Sequence, residues 1–125
     1  MAFWRGRAPA EPSDRTPMIH ELRVYTTLPG RLPDLLARFE NHTLAIWARH
    51  GIRQAGFWTT LVGPDSNDLT YLLAWESLGE REAKWSAFLA DPAWIAARRE
   101  SERDGPINAR VASSFLTPTS FSAVR

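Results

Sequence analysis

The sequence of 125 residues contains no cysteine. Disulfides, thiolate catalysis, cysteine-ligated zinc and iron–sulfur clusters are therefore excluded, and the hydrophobic core must stabilise the fold unaided. An excess of charge of one sign is also missing, because 15 basic and 14 acidic residues leave a formal charge of +1. The basic residues are scattered along the chain, so we expect no nucleic acid or anionic membrane as a partner.

Long apolar runs are missing too. Residues 1–17 contain three arginines and three prolines but no apolar stretch of the kind that marks a secretory signal, and the prolines disfavour a mitochondrial presequence helix. We therefore expect a cytoplasmic protein whose residues 1–17 form a disordered or extended tail, or belong to an overlong gene model that truly starts at Met18. All basic residues but Lys84 are arginine, which indicates a GC-rich and hence bacterial genome.

Residues 18–125 are predicted to form one domain that begins with a strand and a helix. Polar and apolar residues alternate from Ile19 to Thr27, as is typical of a strand. From Leu32 the apolar residues recur at helical spacing. Gly51 is well placed to end this helix after His50.

A hairpin and a second helical region follow. Residues 52–62 and 69–75 are rich in β-branched and aromatic side chains and flank a turn-forming segment, which predicts two antiparallel strands. Ser77 and Glu80 have the spacing of a capping box at a helix start. The Asp-Pro pair at 91–92 then opens a second helical piece.

The last predicted strand covers residues 107–116 and completes the order strand, helix, strand, strand, helix, strand. This order predicts a ferredoxin-like α+β fold, with a four-stranded antiparallel sheet and two helices on one face. The third strand is apolar on both faces, with Tyr71 and Trp75 on one and Leu72 on the other. The face that the helices leave open therefore needs a second cover, and we expect a homodimer in which two sheets face each other.

Several short motifs resemble those of the NIPSNAP family. They are Glu-Leu-Arg-Val-Tyr-Thr at 21–26, Gly-Phe-Trp-Thr-Thr at 56–60, Trp-Glu-Ser-Leu at 75–78, Asp-Pro-Ala-Trp at 91–94 and the closing Pro-x-x-Phe-Ser-x-x-Arg at 118–125. The resemblance covers about residues 18–125 and implies a dimeric α+β barrel with a central cavity. Relatives of that architecture include cofactor-free monooxygenases, haem-degrading enzymes, polyketide cyclases and stress-induced binding proteins, so the resemblance implies no single activity.

A polar trio on the first strand is the first part of a candidate ligand site. Strand alternation puts Glu21, Arg23 and Tyr25 on one side. If Leu22 and Val24 on the other side meet the helices, the trio faces the dimer cavity. There Arg23 would anchor an anion and Tyr25 would donate a hydrogen bond, or the Glu21–Arg23 pair would serve structure alone.

Aromatic residues and one histidine complete the candidate site. Trp58, Tyr71 and Trp75 are expected to form an aromatic wall of the same cavity, or the core of the dimer interface. His42 is a candidate general base or haem ligand, or a hydrogen-bonded structural residue at the margin of the core. The histidines lack metal-ligand spacing, so we expect neither a metal nor a bound cofactor.

The function expected from these features is that of a NIPSNAP-like binding module of undetermined activity. It would use the dimer cavity for a small apolar or aromatic molecule, or bind a protein partner. The alternative is a cofactor-independent monooxygenase, isomerase or cyclase, or a haem-binding enzyme of the same barrel type. The sequence shows no set of acid–base or metal-binding residues that would favour the enzyme over the binding module.

Overall fold

The computed structural model describes residues 18–125, and the expectations for residues 1–17 lie outside this range. Four strands form one antiparallel sheet in the order β2-β3-β1-β4. The strands are β1 (Ile19–Thr27), β2 (Arg53–Thr59), β3 (Asp68–Trp75) and β4 (Asn108–Leu116). This topology confirms the predicted ferredoxin-like α+β fold.

The connection between β1 and β2 is a helical segment that is widened in its middle. Helix α1 (Leu32–Arg38) runs through a π-helical turn (Phe39–Thr43) into α2 (Leu44–His50). At the turn the Leu44 amide donates to the Phe39 carbonyl, five residues back. The extra residue keeps both ends of the turn buried, and π-helical turns of this kind often lie at functional sites. As predicted, Gly51 ends the segment in the left-handed conformation, with φ of 70°.

Two helices connect β3 to β4. They are α3 (Leu78–Ala90) and α4 (Pro92–Ser101). The Ser77 hydroxyl accepts a hydrogen bond from the Glu80 amide at 3.0 Å, and Asp91 Oδ1 accepts one from the Ala93 amide at 2.8 Å. Both helix starts predicted from the sequence are therefore capped as expected.

The helices cover the sheet face opposite to the one expected. Arg23 pairs with Tyr71 across the strands, and both side chains are buried. The ring of Phe39 lies 6.0 Å from the ring of Tyr25 and 5.5 Å from that of Tyr71, so the helical segment packs on the polar trio. The expectation that Leu22 and Val24 meet the helices is wrong.

Two physical facts explain the inversion. Strand alternation fixes which residues share a face, but it does not say which face the helices cover when both faces contain apolar groups. Glu21 tolerates complete burial because Arg23 and Arg81 neutralise its charge at 2.9 and 3.2 Å. Tyr71 and Trp75, which were expected to need a partner chain, are covered within one protomer.

The face left open is apolar along its centre. The strand register places Leu22 beside Leu72, and Val24 beside Ala112, on this face. Leu22, Val24 and Leu72 are each only partly covered.

No helix in the described part of the chain is both long enough and apolar enough to cross a membrane.

Candidate functional site

Glu21 is the centre of a buried cluster of hydrogen bonds. Its Oε1 atom accepts from Trp75 Nε1 at 3.1 Å and Arg81 Nε at 3.2 Å. Its Oε2 atom accepts from Arg23 Nη1 and Ser113 Oγ, both at 2.9 Å. Burial alone would raise the pKa of Glu21, but the hydrogen bonds from Arg81, Arg23 and Ser113 hold it below its ordinary value. The carboxylate is thus ionised and fully engaged, which suits an anchor and not a general base.

Arg23 connects this carboxylate to two phenols. Its Nε atom donates to Tyr71 Oη at 2.7 Å, and its Nη2 atom donates to Tyr25 Oη at 3.1 Å. The guanidinium also lies 4.7 Å from the ring centre of Trp85. Burial opposes its charge, but Tyr25, Tyr71 and Glu21 raise the pKa of Arg23 above its ordinary value. Arg23 is a permanent cation whose three nitrogens all have partners.

Tyr25 has a hydroxyl proton that is not shared with the protein. Tyr71 Oη donates to Tyr25 Oη at 2.9 Å, and burial raises the pKa of Tyr71 well above its ordinary range. Tyr25 Oη therefore accepts two hydrogen bonds, one of them from a cation. Among residues 18–125 no acceptor is in place for its own proton. Hydrogen bonds accepted from Arg23 and Tyr71 polarise this O–H group and strengthen it as a donor.

A cavity of about 330 Å³ lies beside Tyr25, between the sheet and the helices of one protomer. Its aromatic walls are Phe39, Trp47, Trp85, Phe88 and Trp94. Its polar lining includes Arg23, Tyr25, Arg38, Thr43 and Asn108. A cavity of this size with aromatic walls and converging polar groups is typical of a small-ligand site.

Three residues that line the cavity carry buried polar atoms without partners. Arg38 Nε, Trp47 Nε1 and Asn108 Oδ1 make no hydrogen bond to any part of the chain that the structure describes. Leaving such a group unpaired costs about 1–3 kcal/mol. These atoms are inaccessible to solvent, so they are an unpaired cost of packing the cavity walls and do not themselves contact a molecule in the cavity.

The structure brings five of the seven predicted site residues together. These five are Glu21, Arg23, Tyr25, Tyr71 and Trp75. Arg23 and Tyr25 line the cavity, whereas Glu21, Tyr71 and Trp75 lie behind them and fix their positions. The site lies within one protomer and not in the expected dimer cavity.

Trp58 does not belong to this aromatic wall. It pairs with Thr70, so its side chain is on the open face, and the ring lies over Gly56. Phe57 lies on the helix-covered face instead and stacks on Tyr71 with ring centres 4.7 Å apart, but it does not line the cavity. The hairpin register, shifted by a bulge before Gly56, decides this placement and cannot be obtained from either strand alone.

His42 is also outside the cavity. It is exposed on the π-helical turn and lines a surface groove between α1 and α4. The expected place of His42 at the margin of the core is wrong, because the π-helical turn directs Phe39 and Thr43 inward instead. None of the residues that line the cavity is a histidine.

Helix residues form most of the site, and their role was not identified from the sequence pattern. Trp85 and Phe88 were not among the candidate site residues, although they are walls of the cavity. Arg38 was not singled out at all. The available signal was its position between Leu35 and Phe39, where a charged side chain interrupts a buried stripe.

Metal chemistry has no visible basis in residues 18–125, where no three His, Asp or Glu side chains lie together as possible ligands. The groups that the cavity offers are a polarised phenol, arginine cations and aromatic rings. They can hold a planar molecule and stabilise negative charge on its oxygen atoms.

Known structures with the same fold include proteins from several bacteria. A NIPSNAP family protein of unknown function from Agrobacterium tumefaciens is 24% identical, with a TM-score of 0.78 over 88% of this chain and 96% of that one. An uncharacterised NIPSNAP-like domain protein from Burkholderia xenovorans is 30% identical, with a TM-score of 0.75 over 84% and 88%. A Streptomyces coelicolor monooxygenase in complex with nanaomycin D is 18% identical, with a TM-score of 0.61 over 93% and 100%, and shows likeness of fold alone.

No curated protein sequence matches this chain. The family model described as NIPSNAP, in contrast, matches residues 20–123. This match includes every strand and helix except the first residue of β1, and it contains the whole candidate site. The chain therefore belongs to the NIPSNAP family.

Proposed function

We propose that the protein is a binding module for a small planar aromatic molecule, which occupies the cavity between the sheet and the helices of each protomer. The observation that carries the proposal is that aromatic walls and the polar side chains of Arg23, Tyr25 and Arg38 line one space of about 330 Å³. Aromatic rings would stack on the ligand, and polar atoms would fix its orientation.

Tyr25 supplies the directed contact in this proposal. Its hydroxyl accepts from Arg23 and Tyr71 and so presents its own proton to an oxygen atom of the ligand. Glu21 is too fully hydrogen-bonded to touch the ligand, and it serves by holding Arg23 in place. Arg23 in turn orients Tyr25.

A titration by isothermal calorimetry tests the proposal. The probe is 2-naphthalenemethanol, which has two fused rings and one hydroxyl group, and the full chain is expected to bind it with a submillimolar Kd. Val111 lines the cavity and is 46% exposed, so Val111→Phe should occupy part of the space without disturbing the core. We expect this variant to bind the probe at least about tenfold more weakly.

Val62→Phe is the matched control for this experiment. Val62 is 94% exposed in the loop between β2 and β3, far along the chain from the cavity walls, and the variant should bind like the parent protein. Equal binding by both variants, or no binding by the parent protein, would contradict the proposal.

An enzyme in the same cavity is the second candidate. A hydroxyl polarised by a cation is what transfer of a proton to a substrate oxygen, or stabilisation of an oxyanion, requires. The likeness of fold to a monooxygenase adds only the fold to this argument. Turnover of an aromatic substrate that is lost in Tyr25→Phe would favour the enzyme over the binding module.

Homodimerisation through the open sheet face also remains our proposal. The centre of that face contains Leu22, Val24, Leu72 and Ala112, and an uncovered apolar face of this kind favours a second copy. Light scattering coupled to size exclusion should give twice the chain mass, and a single-chain mass would contradict it. The cytoplasmic location and bacterial source stay predictions.

A further inference from the structure

Arg38 is a buried arginine that leaves most of its donors unused. Its side chain is 5% exposed, and burial lowers its pKa below the ordinary value. Only Nη1 has partners, Glu102 Oε2 at 3.3 Å and Ser101 Oγ at 3.2 Å, whereas Nη2 has none within residues 18–125 and, unlike the closed-off Nε, is accessible to a ligand. Arg23, by contrast, uses all three of its nitrogens.

A guanidinium has five N–H donors in a planar fork that matches a carboxylate with two parallel hydrogen bonds. Arg38 lines the cavity and lies 5.1 Å from the ring centre of Trp94, one of the aromatic walls. A buried cation with unused donors beside an aromatic space has the features of an anion anchor.

In the protein without a ligand, Glu102 pairs with Arg38 only weakly. It pairs with Arg38 at 3.3 Å and with Arg98 at 3.1 Å, both longer than the about 2.7–2.9 Å of good charge-assisted hydrogen bonds. Glu102 also follows the last residue of α4, where the helix dipole disfavours a negative charge. Its side chain is 24% exposed and can therefore turn toward solvent.

The mouth of the cavity lies at the same residues. A surface groove along α4 shares Leu89, Trp94, Arg98 and Glu102 with the cavity lining. Arg38, Arg98 and Glu102 together carry one net positive charge, two cations against one anion. A ligand with one negative charge would neutralise this set as it enters.

We infer that the ligand is an aromatic carboxylic acid, whose carboxylate binds Arg38 in place of Glu102 while its rings occupy the cavity. The inference rests on the proposed binding function and adds the acidic group and its anchor. Arg38 is thus the residue that selects acids, and Glu102 is a built-in competitor for the same guanidinium.

The test compares two probes that differ in one group. Isothermal calorimetry at neutral pH measures 2-naphthoate and 2-naphthalenemethanol against the full chain. The parent protein should bind the acid at least about tenfold more tightly than the alcohol, because a charge-assisted pair replaces a neutral one. Arg38→Met should abolish this preference, so that the Kd values for the acid and the alcohol lie within about twofold of each other.

Two further variants complete the design. Arg53→Met is the matched control, because Arg53 is exposed on β2 and lines neither the cavity nor the groove, so the preference should survive. Glu102→Gln removes the competing charge and should raise the affinity for the acid without changing that for the alcohol.

Each outcome is decisive. Equal binding of acid and alcohol by the parent protein, or a preference that persists in Arg38→Met, overturns the inference and leaves the proposed function standing. Failure of both probes to bind overturns both proposals. If circular dichroism shows that Arg38→Met does not fold, Glu102→Gln decides, because an unchanged acid affinity in that variant overturns the inference.

Discussion

Replacement of Glu21 with glutamine tests the buried cluster that positions the site. The change keeps the size of the side chain but removes its charge and turns one of its acceptor atoms into a donor. That donor would face Arg23 and Ser113 on one side or Trp75 and Arg81 on the other, and each of these groups already donates. Two guanidinium groups would lose their counter-charge.

The expected cost follows from the burial of this carboxylate. Glu21 is fully buried, and removal of one partner from a buried ion pair typically costs about 3–5 kcal/mol. A domain of this size is stable by about 5–15 kcal/mol in total. The variant should therefore lose a large fraction of its stability, with a fall in Tm of about 10–20 °C.

The pH dependence of this loss has a definite sign. The folded-state pKa of Glu21 lies below its ordinary value of 4.5, so its contribution to stability is complete above that value. The contribution is lost as the pH falls through the folded-state pKa. The gap in Tm between the parent protein and Glu21→Gln should consequently be widest at neutral pH and should narrow on acidification to about pH 3.

Thermal unfolding followed by circular dichroism measures both effects. Glu82→Gln is the control, because Glu82 is exposed on α3 and its substitution should change stability by less than about 0.5 kcal/mol. A fall in Tm for Glu21→Gln no larger than that of the control would refute the central role of this carboxylate. A gap that stays constant from neutral to acid pH would refute the charge argument.

Three further predictions concern the hydroxyl, the dimer and a helix cap. Tyr25→Phe should weaken binding of 2-naphthalenemethanol by about tenfold in calorimetry, the equivalent of one lost hydrogen bond, and an unchanged Kd would contradict the role of the hydroxyl. Leu72→Asp should convert the dimer to monomers in light scattering, since it places a charge on the open face, and persistence of the dimer would exclude this face as the interface. The pKa of Asp91 is lowered by its hydrogen bond to His50 and by the Ala93 amide. The ionised Asp91 therefore contributes fully to stability above its ordinary pKa of 3.8, and this contribution is lost as the pH falls through the lower folded-state pKa. Asp91→Asn should thus lower Tm at about pH 5.5 and have a smaller effect at about pH 3, and an equal effect at both would contradict the ion pair.

The fold could be predicted because the local signals for helix starts and ends agree with the spacing of the apolar residues on where the helices and strands lie. Ser77 and Asp91 cap helix starts by hydrogen bonds to amides no more than three residues further along the chain. Such caps can therefore be predicted from the sequence. Gly51 ends a helix for the equally local reason that only glycine adopts its backbone conformation without strain. The π-helical turn is a local irregularity that the residue pattern did not predict, because it depends on how Phe39 and Thr43 pack.

The candidate site could be predicted only in part. Alternation correctly placed Glu21, Arg23 and Tyr25 on one face, because this follows from the geometry of a single strand. The side that they face depends on the packing of the helices, and the position of Trp58 depends on a strand register with a bulge. Both features depend on tertiary contacts, and the residue pattern of one strand does not determine those contacts.

The central claim is that a ligand cavity lies within each protomer, between the sheet and the helices. A crystal structure of the full chain with 2-naphthoate tests it most directly. We expect planar density between Trp47, Trp85 and Trp94, with the carboxylate at Arg38 and Glu102 turned away. Density confined to the space between two open sheet faces, or a cavity filled by protein side chains, would contradict it.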